Sequence, residues 1–232
     1  MLQEKTLAFL ARHSITEKQI FIFVSSESYD LYVEQLSHLA VNVVLGKDTI
    51  TTTRNFIVDY FPQAQKVLEM DDDIEDIVYM KKQEKNRPVD DFRKLICESF
   101  GMLKGSGVFG FNAMTSNIFA TSDKFGLYSL IGSCVGYFNE KSVHLELPEK
   151  EDFERVVKFY QLGLPVLKRT NFGTKTKYWV NAGGIQSRYP PAARIKKNGE
   201  CGKRLMEMYP GLFYKRKRAN GIIDVRFRKP YI

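Results

Sequence analysis

Three short apolar runs, residues 20–24, 41–45 and 66–70, alternate with three stretches whose apolar residues recur at helical spacing, residues 2–13, 29–39 and 49–61. That alternation restricts the chain to an α/β architecture, because short strands separated by helices pair in parallel through right-handed crossovers. A doubly wound, mostly parallel sheet is therefore expected in the N-terminal half. Pro62 stops the third helix just before the third strand. The pattern then changes: residues 83–89 read as a polar linker, 90–103 as a helix, and 108–147 as a β-rich segment with strands over 128–138 and 143–147. With 232 residues the chain fits one domain. It divides into residues 1–82, a mixed part over 83–165, and a basic part over 166–232.

The third strand ends in three consecutive carboxylates, Asp71, Asp72 and Asp73. Like charges at a strand end repel unless a cation, a basic group or water compensates them. Ligands of α/β sheets bind at the carboxyl ends of strands, where a D-x-D sequence can hold Mg²⁺ or Mn²⁺ against a diphosphate. The alternative is an acidic start to a helix over residues 74–80, where carboxylates suit the N-terminal dipole.

Two further segments bear on that corner. Arg54-Asn55 lies in the helix before the aspartate strand, where an arginine reaches a diphosphate and an asparagine a nucleoside edge; a surface arginine explains the same residue. Downstream, Glu151 and Asp152 open an amphipathic helix. They serve either as first-turn charges or as a general base toward an acceptor hydroxyl.

Charge is divided unevenly. Residues 166–232 hold 17 Lys and Arg against 3 acidic residues, net +14, which leaves −6 for residues 1–165. A polyanionic partner held by the tail is one implication. The richest piece, Lys215-Arg216-Lys217-Arg218, is followed by Asn220-Gly221 and a second β-rich run, the signature of a hairpin. Such a hairpin either lies on a phosphate backbone or protects a sheet edge with charge.

Other chemistries find little support. Cys97, Cys134 and Cys201 are widely spaced, which points away from disulfides or a C-x-x-C metal site and toward a reducing compartment. His13, His38 and His144 are isolated and read as structural. Gly105-Ser106-Gly107-Val108-Phe109-Gly110 matches G-x-G-x-x-G, but it follows a helix and precedes a strand, the reverse of a dinucleotide-binding turn. No P-loop, signal sequence or membrane-length apolar stretch is present, so the cytoplasm is the expected location.

Taken in order, Thr53-Arg54-Asn55-Phe56-Ile57 and Val67-Leu68-Glu69-Met70-Asp71-Asp72-Asp73-Ile74 resemble the R-N then D-D-D pattern of GT-A-fold nucleotide-sugar glycosyltransferases. The closer resemblance is to the TET/JBP-associated glycosyltransferases of phages and large DNA viruses. Ser116-Asn117, Ile131-Gly132-Ser133-Cys134-Val135-Gly136, Lys150-Glu151-Asp152-Phe153-Glu154-Arg155, Arg169-Thr170-Asn171 and Gly183-Gly184-Ile185 follow in that family's order. The resemblance implies a GT-A-like domain that transfers a sugar from a nucleotide-sugar, a UDP-sugar above all, to a hydroxymethylated pyrimidine in DNA.

It assigns Asp71 to the donor sugar or ribose and to the metal, Asp72 to the donor, and Asp73 to the Mn²⁺ or Mg²⁺ itself. Arg54 and Asn55 go to the diphosphate or nucleoside, Asp152 to the acceptor base with Glu151 second, and Gly183-Gly184 to close backbone approach. Trp179 and Tyr178 either stack on a base or sugar or belong to the core. The basic run Lys215 to Arg218 suits a DNA acceptor.

The chain departs from the family's pattern in two places. It opens on a helix where such enzymes usually open on a strand, so that strand is missing or lies outside this sequence, and no histidine follows His144 to serve as a late metal ligand. The competing readings are a transferase acting on a glycan or protein, a metal-dependent nuclease, and a non-catalytic DNA-binding protein.

Overall fold

A computed structural model describes residues 1–176, 191–217 and 223–228. Gly183, Gly184, Tyr178, Trp179, Arg218 and the Asn220-Gly221 turn lie outside the described residues. The chain opens with a π-helical turn, Gln3–Leu7, that runs into α1 (Ala8–Arg12). Next come β1 (Phe21–Val24), α2 (Tyr29–Leu36), β2 (Asn42–Leu45), α3 (Ile50–Tyr60) and β3 (Lys66–Met70). These are the elements that periodicity predicts, trimmed at their ends. Helix α3 starts where Thr49 and Thr52 form a reciprocal capping box, and it stops at Phe61 before Pro62.

The remainder comprises β4 (Asp76–Tyr79), β5 (Arg87–Pro88), α4 (Phe92–Leu103), β6 (Val108–Asn112), β7 (Lys124–Phe125), β8 (Cys134–Phe138), α5 (Glu151–Gln161), β9 (Val166–Lys175), α6 (Pro191–Met208), β10 (Phe213–Lys217) and β11 (Ile223–Phe227). Residues 74–80 thus hold a strand and not a helix. The β-branched Ile77 and Val78 are buried, and β4 pairs antiparallel with β9. The acidic triplet therefore lies in a strand-to-strand link, where no helix dipole offsets its charge.

Pairing is mixed. Strands β1 and β2 form a parallel pair, and a seven-stranded sheet runs in the order β3-β8-β6-β9-β4-β5, with β7 on β9. Within that sheet only β6 and β9 are parallel. The mostly parallel N-terminal sheet is thus realised in β1–β2 alone: β3 leads into a short link and β4, not into a crossover helix, and its partner β8 runs antiparallel. Helices nevertheless cover both faces. Val67, Val108, Val135, Tyr137 and Val166 face α5, α6 and the β10–β11 hairpin, whereas Phe109, Phe111, Cys134 and Leu167 face α1, α2 and α4.

Residues 143–147 form no strand. Their backbone is held by side chains instead: Leu145 by Asn55, Glu146 and Leu147 by the Glu154 carboxylate, and the Leu147 carbonyl by Thr51. Residues 128–138 yield only β8. The expected tail hairpin is present, with β10 and β11 antiparallel.

The glycines of 105–110 serve the backbone. Gly107 has φ +103°, and a Cβ there would meet the Pro165 carbonyl oxygen at 2.2 Å. Among the described residues, no helix is long and apolar enough to cross a membrane.

Candidate functional site

Strand alternation puts Glu69 on the same face as Val67, the face that packs under α5. A carboxylate so placed must be paired. Arg155 of α5 grips it in a fork, Nη1 to Oε2 at 2.9 Å and Nη2 to Oε1 at 3.1 Å, while the Tyr137 hydroxyl donates to Oε1 at 2.6 Å. Arg54 Nε stands 3.7 Å from Oε2. Burial opposes ionisation of Glu69, but Arg155 and Arg54 hold its carboxyl below the ordinary range.

Arg54 reaches this point from the inner face of α3, with its side chain 8% exposed. It is not a surface arginine. Nη1 lies 2.8 Å from Glu151 Oε1 as an ion pair without a well-directed hydrogen bond. Burial works against the guanidinium's charge, yet Glu151, Glu69, Asp71 and Asp152 together raise its pKa. The guanidinium packs against Gly132, where an added Cβ would come within 2.3 Å of Nη2. Gly132→Ala should therefore push Arg54 out of its place and cost about 1–3 kcal/mol by overpacking. Urea denaturation of the variant measures that loss, and wild-type stability would contradict the packing described.

Asp71 follows β3 directly; its N–H donates to the Ser133 carbonyl, and its own carbonyl accepts from Thr6 Oγ1 at 2.7 Å. Thr6 Oγ1 in turn accepts from the Ile74 N–H, so the π-helical turn Gln3–Leu7 clamps both ends of the triplet. Asp71 is exposed as a residue, yet protein lies close enough around its carboxyl to desolvate it. Its pKa is pushed up to about 7 by burial, with Arg54 opposing and Asp73, Asp72 and Glu151 adding to the rise. Asp72 is exposed and also raised, by partial desolvation and by Asp73. Asp73 Oδ2 accepts from Thr176 Oγ1 at 2.9 Å.

Helix α5 aims its first turn at the same place. Lys150 precedes it in the left-handed conformation, φ 67°, and its ammonium is buried against Asp224 of β11 at 2.7 Å. Glu151 and Asp152 follow. The Asp152 carboxyl is raised to about 7, by burial and then by Glu151, against the pull of Arg54 and Lys150. The crevice lined by Arg54, Gly132, Asp152 and Arg155 is closed too tightly to admit a water molecule.

Arg54, Asp71, Glu151 and Asp152 thus come together beside the carboxyl end of β3. Asn55 does not join them: its side chain donates to the Leu145 carbonyl at 2.8 Å and accepts from the Leu145 N–H at 2.7 Å. Lys215, Arg216 and Lys217 are exposed on β10, where Arg216 pairs across the hairpin with Asp224. Among the described residues no group of three or more His, Cys, Asp and Glu side chains is arranged to hold a metal. His144 binds Asp59 at 2.8 Å, and His13 Nδ1 accepts from the Phe92 N–H, so both have structural partners. Sequence reasoning missed Glu69, Arg155 and Tyr137. A glutamate on the buried parity of a strand was the available signal.

No protein-family model matches the sequence, and no curated protein is detectably similar to it.

Proposed function

We propose that this chain is a glycosyltransferase that moves a sugar from a nucleotide-sugar, a UDP-sugar, to a hydroxymethylated pyrimidine in DNA. The observation that carries the reading is the convergence of Asp71, Arg54 and the Glu151-Asp152 turn at one end of the sheet. Asp71 and Asp73 are the residues that would hold Mn²⁺ or Mg²⁺, with donor diphosphate and water completing the shell as such cations allow. Burial and then the neighbouring Asp73, Asp72 and Glu151 raise Asp71, and a divalent cation would offset both. When bound, the cation neutralises the diphosphate as it leaves.

The chain's own groups do the rest. Asp152, once ionised, accepts the proton of the acceptor hydroxyl. Arg54 holds Glu151 and Glu69 in place and adds positive charge beside the leaving group. The basic tail favours a polyanionic acceptor, and a target base within a duplex would be flipped out to reach the site.

Labelled UDP-sugar offered with hydroxymethylated and unmodified DNA tests the reading. Transfer confined to the hydroxymethylated strand, dependent on Mn²⁺ and lost in Asp73→Ala, is the expected result. Equal labelling of both strands, or of neither, would overturn the acceptor. No thermal stabilisation by any nucleotide or nucleotide-sugar, with or without Mn²⁺, would overturn the donor. Mg²⁺-dependent cleavage of DNA without regard to UDP-sugar would identify a nuclease instead.

A further inference from the structure

Strand register carries a second feature away from the acidic corner. Glu69 of β3 pairs with Val135 of β8, Val135 with Gly110 of β6, Gly110 with Lys168 of β9, and Lys168 with Lys124 of β7. Paired residues share a face, so Lys168 lies in the same row and on the same side as Glu69, three strands along. Two lysines standing directly opposite each other on neighbouring strands repel. Here both are half-buried, and among the described residues neither has an ion-pair partner.

A third cation, Arg226 of β11 in the tail hairpin, lies near enough to Lys168 to oppose its charge. Arg226 Nη2 is 3.9 Å from Asp224, a carboxylate already committed to Lys150, and its buried Nε has no hydrogen-bond partner. Burial, and after it Lys124 and Arg226, lower the Lys168 ammonium to about 8. Three cations from separate segments crowd one spot at a cost that an anion would relieve. Two aromatic rings stand next to them: Lys124 Nζ lies over Tyr128 at 5.3 Å, and the exposed Tyr214 is paired across the hairpin with Arg226. Cations interleaved with aromatic faces suit a single strand, whose phosphates take the charge and whose bases stack.

We propose that Lys124, Lys168 and Arg226 form a seat for one phosphate of a single-stranded nucleic acid, about 14 Å along the sheet from Glu69, counting three strand spacings. The seat rests on the reading above only in taking a nucleic acid as the partner; it does not require sugar transfer.

The test is fluorescence anisotropy of the full chain with a labelled single-stranded oligonucleotide across a salt series, for the wild type, K168Q and K124Q. Lys203→Gln, a change at an exposed lysine of α6, is the control. Each site variant should bind about fivefold more weakly near ~0.1 M salt, with the salt slope reduced by about 0.7. Melting temperature should be unchanged or higher, since a repulsion is removed, and K203Q should bind as the wild type does. Should K168Q fail to fold, K124Q carries the same comparison.

Inorganic phosphate forms the second arm. Stabilisation of the wild type by phosphate, absent in K168Q, together with weakened oligonucleotide binding, supports the seat. Phosphate stabilisation that depends on Lys168, with oligonucleotide binding equal in both or absent, overturns the nucleic-acid assignment. Indifference of both ligands to both variants overturns the seat. Sugar transfer enters neither arm, so loss of the transferase reading would appear in the turnover assay and not here.

Discussion

Replacing Glu69 with leucine should cost about 3–5 kcal/mol of stability, the usual consequence of removing one partner from a buried ion network. The change leaves Arg54 and Arg155 without the carboxylate that lies between them, and it takes from Tyr137 the acceptor of its hydroxyl. Leucine has the right size for the strand, so lost packing contributes little. The sign with pH follows from the depressed Glu69 pKa. The stabilisation is present above the ordinary carboxylate range and is lost as pH falls through the lower folded value. Urea denaturation at neutral and acid pH measures both. A loss under about 1 kcal/mol at neutral pH, or one unchanged in acid, would show that the arginines find other partners.

Asp152→Asn should act in opposite directions on activity and stability. If Asp152 accepts the acceptor proton, its removal costs about 10²- to 10⁴-fold in turnover. Wild-type turnover should rise with pH and level off above about 7, because only the ionised form can act. Stability runs the other way. The folded pKa is raised from 3.8 to about 7, so no cost falls on the fold below the lower value; the cost accrues between the two and is complete above the upper one. Asparagine keeps the side-chain oxygen that accepts from the Phe153 N–H and carries no charge. The variant should therefore be more stable than the wild type at pH 8 and equal to it well below the lower value. A variant that is inactive and also less stable at pH 8 would mean that the carboxylate holds the fold and is not the base.

Elements whose cause is local were legible in the sequence. The helix and strand alternation of residues 2–70, the capping box at Thr49, the stop at Pro62 and the tail hairpin all stand close to where periodicity and turn chemistry place them. Pairing partners were not legible, because β3 meets β8 across more than sixty intervening residues and a strand's apolar pattern does not encode its partner's direction. Segment 143–147 has a strand's composition, but Asn55, Thr51 and Glu154 satisfy its backbone in place of a ladder. The same fact removes Asn55 from the donor side. Asp71 and Asp152 stood out as charges at element ends and Arg54 by its place in the helix before the acidic strand, whereas Glu69 and Arg155 lie inside elements and read as ordinary strand and helix residues.

Lys150 gives the basic tail a meaning that its charge alone does not. Its ammonium is buried on Asp224, and the next two residues are Glu151 and Asp152. A stop codon or a proteolytic cut ahead of residue 223 would strip Lys150 of its counter-charge at the root of α5. Shortening the protein at its far end would then register as damage to the acidic corner, so truncated forms and point variants of the corner should share one phenotype.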